Sequence, residues 1–138
     1  MKSHLAIVGA AALALAAIGC AARGKPFERA DAPPDHATIY VYRPYSYNSS
    51  LLHPAVQCGS ESVEIRPGAY HAFVVPAGHV TCRVGGETTD EVDIDAEPRS
   101  YYVQERFAFG LLSGHPQLNP MDTDEAQVEI QSCCVQPR

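Results

Sequence analysis

Thiols have the widest range of chemistry open to them in this chain: Cys20, Cys58, Cys82, Cys133 and Cys134. A thiol can carry a lipid through a thioether, close a disulfide or act as a redox nucleophile. A dithiol redox enzyme needs Cys-x-x-Cys, which does not occur. His36, His53, His71, His79 and His115 could bind a metal in principle. No pair of them has the i, i+4 helical or i, i+2 strand spacing typical of ligands. Scattered surface histidines are the expectation. Ser, His and Asp are all present, but no nucleophile-elbow or cysteine-protease signature appears, so a triad would have to assemble from distant residues. No catalytic, cofactor-binding or metal-ligating residue is expected. The acidic set Glu87, Asp90, Glu91, Asp93, Asp95 and Glu97 lacks the spacing and glycine of an EF-hand loop, and reads as the solvated face of a strand.

Cys20 stands at the end of Leu15-Ala-Ala-Ile-Gly-Cys20, after a basic start at Lys2 and an uncharged run over Leu5–Ile18. That run is shorter than the roughly 20 residues that span a bilayer core, and its anatomy fits a secretory leader. Small or aliphatic residues before a cysteine resemble the cleavage and lipidation site of a bacterial lipoprotein. Ala17 departs from the Leu usual there. The resemblance implies a leader over 1–19 and membrane attachment through acyl chains such as palmitate on Cys20. The next residue is Ala21, not Asp, which in lipoproteins of this kind implies the outer membrane facing the periplasm, where the source has one. The competing reading is a leader cut after Ala22 with Cys20 incidental.

Setting Cys20 aside leaves four cysteines, an even set that suits disulfides in an exported protein. Cys58 shares strand parity with Val56, and Cys82 with Val80 and Val84, so both point to a core face. Cys58–Cys82 is the first-choice bridge, stabilising by roughly 3.5 kcal/mol in the chain-entropy model. Cys133 and Cys134 are adjacent and point to opposite faces of an extended strand. A bond between them would be strained, and crossed pairings with Cys58 and Cys82 are the runner-up.

These side chains need elements to position them. Residues 20–36 hold the lipidated cysteine and Pro26, Pro33 and Pro34, the composition of an extended tether. From residue 37 the chain becomes a series of short β patterns: 37–43, 55–58, 62–65, 69–75, 79–84, 88–94, 99–107 and 126–133. Pro76-Ala77-Gly78 suits a three-residue hairpin loop that would set His71 opposite Arg83. Residues 44–53 and 108–120 read as loops. No segment offers a convincing amphipathic helix, although 121–126 could supply one turn. Seven or eight short strands predict an all-β fold, a small antiparallel sandwich over residues 37–135.

The net charge is −6, and removing Lys2 with the leader lowers it further. No basic run exists, so nucleic acid is not an expected partner. Tyr40, Tyr42, Tyr45 and Tyr47 form a possible binding surface if they share a solvent face. The competing reading packs that face under another layer. The apolar Phe107–Leu112 stretch has three roles open to it: covering the sandwich end, touching a partner or touching the membrane.

Ala37-Thr-Ile-Tyr-Val-Tyr-Arg-Pro44, Pro76-Ala-Gly-His-Val80, Tyr101-Tyr-Val103 and the terminal Glu125-Ala126 with Val128-Glu129 carry a further pattern. Over about residues 37–131 the chain resembles a bacterial family of small lipoproteins classed as domain-of-unknown-function family 2846. The resemblance implies an exported β-sandwich and supplies no chemistry. The expectation is a lipid-anchored cell-envelope protein, a non-catalytic binding or structural module. Two alternatives are an inhibitor or sensor that binds another envelope protein through the 44–53 or 107–120 loops, and a small periplasmic hydrolase.

Overall fold

β2 (His36–Arg43) supplies the centre of the molecule because both of its faces are covered. Ile39 and Val41 point one way, Tyr40 and Tyr42 the other, and all four are buried. A strand buried on both sides needs two covering layers, and the rest of the chain provides them. The computed structural model describes residues 22–86, 88–109 and 114–138. Cys20 and the leader lie outside the described residues.

The other strands among the described residues are β1 (Gly24–Pro26), β3 (Ala55–Cys58), β4 (Glu61–Glu64), β5 (Ala69–Pro76), β6 (Gly78–Gly85), β7 (Thr89–Ala96), β8 (Ser100–Phe109), β9 (Gly114–Met121) and β10 (Val135–Pro137), and the one α-helix among them is α1 (Thr123–Cys133). Six strands form one sheet in the order β1-β10-β5-β2-β8-β9, and four form the second in the order β4-β3-β6-β7. The fold is an all-β sandwich. Most pairs are antiparallel, but β2–β8 and β10–β5 run parallel. Between the sheets, Ile39, Val41, Phe73 and Val103 of the first meet Val56, Val80, Val84 and Ile94 of the second.

Four expectations are corrected. Residues 126–133 are helical, not a strand. Asp122 caps the helix by accepting from the Asp124 and Glu125 amides, at 3.0 and 3.4 Å. Ala126 and Ile130, one turn apart, are buried, while Val128 is 72% exposed. Residues 114–121 are an edge strand, not part of a loop. Pro116 and Pro120 are tolerated there because an edge leaves one row of amides unpaired. Pro76-Ala77-Gly78 is a crossover between sheets, not a hairpin. β5 pairs with β2 and β10, and β6 pairs with β3 and β7, which lets the apolar faces of β5 and β6 meet each other across the core. The segment read as a tether is docked: β1 pairs with β10, and Phe27 packs edge-on against Tyr40 and Tyr70 at 5.2 and 5.1 Å.

Cys58 and Cys82 are opposite each other on β3 and β6 and are bridged. Cys133 and Cys134 are bridged to each other, not crossed with that pair. The reason is layering. Cys58 and Cys82 lie between the sheets, whereas α1 lies on the outer face of the six-stranded sheet, with that sheet between the two pairs.

Candidate functional site

The four tyrosines proposed as a binding surface divide at the end of β2. Tyr40 and Tyr42 are buried with Tyr70 and Tyr102 beneath Phe27 and α1. Burial pushes the Tyr40 and Tyr42 hydroxyls up from their ordinary value, and for Tyr42 the Glu129 carboxylate adds to the effect. Each of the four hydroxyls has a partner. Tyr42 donates to Glu129 Oε2 at 2.7 Å. Tyr40 accepts from the Ala30 amide at 2.8 Å, Tyr70 from the Glu28 amide at 3.0 Å, and Tyr102 from Gln127 at 3.3 Å. Gln104 completes the network by donating to Glu129 Oε1 at 2.6 Å. These rings fasten the helix and the 27–30 segment to the sheet and leave no free face for a ligand. Tyr45 and Tyr47, beyond Pro44, are 46% and 83% exposed.

The other face of the same two strands ends in a buried pair of charges. Arg43 follows Ile39 and Val41 in inward parity, and Glu105 follows Val103. β2 and β8 run parallel with Tyr42 opposite Gln104, so Arg43 and Glu105 are neighbours on the next rung. Both are 1% exposed. Arg43 Nη1 donates to the carbonyls of Leu52 at 2.7 Å and Ile65 at 3.1 Å, and Nη2 donates to that of Ser49. Its guanidinium lies 4.4 Å from the centre of the Phe107 ring. Neither Glu105 oxygen and not Arg43 Nε has a hydrogen-bond partner among the described residues. Burial pushes Glu105 up to about 8, against the pull of Arg43. Burial also lowers Arg43, against Glu105 and Glu64. Both shifts favour the neutral forms, so desolvation outweighs the mutual attraction.

This pair underlies one end of the sandwich. Arg43 holds the 44–53 loop from below through the Ser49 and Leu52 carbonyls, and the turn after β4 through that of Ile65. Leu52 reaches the β8–β9 end, where a Cβ on Gly114 would meet Leu52 Cδ1 at 2.6 Å. Around this end lie Tyr45, Tyr47, Leu51 (85% exposed) and Phe109 (51%), four of the five exposed large apolar residues among those described. The turn after Ile65 joins the same end, with the Gly68 amide donating to the Arg43 carbonyl at 2.8 Å. Gly68 has φ +76, a conformation that favours glycine. The Ala22 amide donates to the Pro67 carbonyl in that turn at 3.0 Å.

The histidines stand on separate elements, each beside its own partner. His36 is bonded to Asp35 and holds that carboxyl below its usual range. His53 pairs with Glu64, and His115 meets Thr88. His71 bonds Glu61 at 2.8 Å, joining β5 of one sheet to β4 of the other, and does not face Arg83. His79, on the outer face of the four-stranded sheet, bonds Asp95 and neighbours Asp93, which together raise its pKa. Asp93 accepts from Thr81, and Glu91 from Arg83, so these acids lie along an outward polar face. Among the described residues no three His, Cys, Asp or Glu side chains gather as metal ligands. A cleft of about 410 Å³ opens where β7 separates from β8 and β9, lined by Val92, Ile94, Tyr101 and Met121.

The inward charges were missed in the sequence reading. Strand parity was the signal that could have found them: Arg43 with Val41, and Glu105 with Val103 and Phe107. No family model, curated protein or solved structure matches this chain, so the fold and the site rest on their own geometry and the family resemblance carries no further argument.

Proposed function

We propose that this chain is an exported, lipid-anchored module of the cell envelope, held to a membrane by acyl chains on Cys20, with a binding or structural task and no catalysis. The supporting observation is the cysteine arrangement. Of five cysteines, four are bridged as Cys58–Cys82 and Cys133–Cys134, which leaves Cys20 without a cysteine to pair with. Stable disulfides belong to oxidising compartments, in agreement with a secretory leader. A thiol left over at the end of that leader suits thioether attachment. Anchoring at the outer membrane, facing the periplasm, is part of the proposal and rests on Ala21.

The bridging pattern favours a structural role for all four domain cysteines over a redox one. One bridge is inside the core, and the other closes the end of α1. The hydrolase alternative draws no support from the histidines, each committed to a separate partner. The test is Cys20→Ala in the native host. Acyl labelling should be lost and the precursor should accumulate with its leader intact. Labelling that persists in this variant contradicts the proposal.

A further inference from the structure

We propose that the loop end of the sandwich, presenting Tyr45, Tyr47, Leu51 and Phe109, seats in the interfacial layer of the same lipid bilayer that holds the acyl chains on Cys20. This rests on the anchor reading above and adds to it an orientation and a second contact.

Chain reach carries the first half of the argument. The Ala22 amide is bonded to the Pro67 carbonyl. Only Ala21 separates Ala22 from Cys20. Each Cα step covers about 3.8 Å, so Cys20 Cα lies within about 8 Å of Ala22 Cα. A lipidated Cys20 must lie at the headgroup layer. The 65–68 turn is therefore drawn to within roughly a nanometre of it, and the docked 24–30 segment cannot serve as a spacer.

The second half is what surrounds that turn. Arg43 binds the Ile65 carbonyl and also the Ser49 and Leu52 carbonyls, so a single buried side chain joins the turn to the 44–53 loop. The exposed apolar side chains cluster here, and residues 44–52 carry no charge, so lowering them into the interface desolvates no ion. Tyrosine suits that layer because its ring is apolar and its hydroxyl stays wet. The loop is also pre-shaped: Tyr47–Ser49 forms a 3-10 turn, and the Leu52 amide bonds the Ser49 carbonyl. Glu91, Asp93 and Asp95 lie along the outer face of the four-stranded sheet, where Arg83, Thr81 and His79 partner them.

The chain contains no tryptophan, so a single one can report depth. Tyr47→Trp places it in the patch. Ala77→Trp places it in the exposed crossover at the opposite end of β5. Each full-length, acylated protein is reconstituted into phosphatidylcholine vesicles with and without brominated acyl chains, and acylation of Cys20 is verified by mass on the same preparation. The proposal expects the indole of the Tyr47→Trp protein to shift to the blue and lose most of its intensity to bromine, while that of the Ala77→Trp protein is unchanged. Acylated, vesicle-bound protein in which both indoles stay water-exposed overturns the seating and leaves the anchor standing. A blue shift seen in native envelope membranes but not in pure lipid assigns the patch to a protein partner and overturns the seating as well. Absence of any acyl chain on Cys20 overturns both readings together.

Discussion

Two glutamates meet the β2–β8 pair from opposite sides and are treated in opposite ways. Glu129 reaches down from α1 onto the tyrosine face, and each of its oxygens has a donor, Tyr42 and Gln104. Glu105 points between the sheets, and neither of its oxygens has one among the described residues. The first region is a closed polar network whose bonds fix the helix in place. The second leaves a carboxyl in the core with an arginine alongside that is already committed to three loop carbonyls. Satisfied networks specify a structure, and unsatisfied ones lower its stability. The tyrosine face is therefore scaffold, and the loop end is where the fold has given up stability.

Removing Arg43 should break this contrast most severely. Arg43→Ala removes three loop hydrogen bonds and the ring contact, and leaves Glu105 with no cation beside it. A loss of about 3–5 kcal/mol is expected in urea unfolding, because three backbone carbonyls lose their donor at once. The two disulfides offer the next contrast. Replacing Cys58 and Cys82 together with Ala should cost about 3.5 kcal/mol, because their bridge closes a long loop in the unfolded chain. Replacing Cys133 and Cys134 should cost well under half of that, since adjacent residues close almost none.

The glutamates themselves should respond with opposite signs. Glu105 has a folded pKa of about 8 against an ordinary 4.5, so between those values the folded state holds a proton that the unfolded state releases. Its presence therefore lowers stability progressively as pH rises from 4.5 to 8, and no further above that. Glu105→Gln should gain about 3 kcal/mol at pH ~7 and nothing at pH ~4, read from unfolding curves at the two values. Glu129→Gln should lose about 1–2 kcal/mol at pH ~7, since an amide cannot accept from both of its donors. If both variants shift stability in the same direction, the contrast fails. A smaller effect is expected at the helix start, where Asp122→Ala should cost about 1 kcal/mol in thermal unfolding.

The strands were legible where parity and burial coincide. Ile39 and Val41 alternate with Tyr40 and Tyr42, and Val80, Cys82 and Val84 share a face, so β2 and β6 could be read from residue types. The same alternation misled at Val128 and Ile130, which are equally compatible with a helix. The deciding signal was Asp122 followed by Glu125, a helix start next to a short apolar stripe. Pro116 and Pro120 argued against a strand only because its edge position could not be seen. Pro76-Ala77-Gly78 has the chemistry of a tight turn, yet nothing local says whether the next strand pairs with the last or crosses to another sheet. Partnership across the core is set by which apolar faces must meet. The buried Arg43 and Glu105 were hidden by the usual expectation that charges face water, although their parity placed them inward.

The measurement that tests the account most directly is the mass of the N-terminal peptide of the protein purified from its native membrane. The account predicts a mature chain that begins at Cys20 and carries acyl chains on that residue. A mature chain that begins at Arg23, or a Cys20 of unmodified mass, would contradict it.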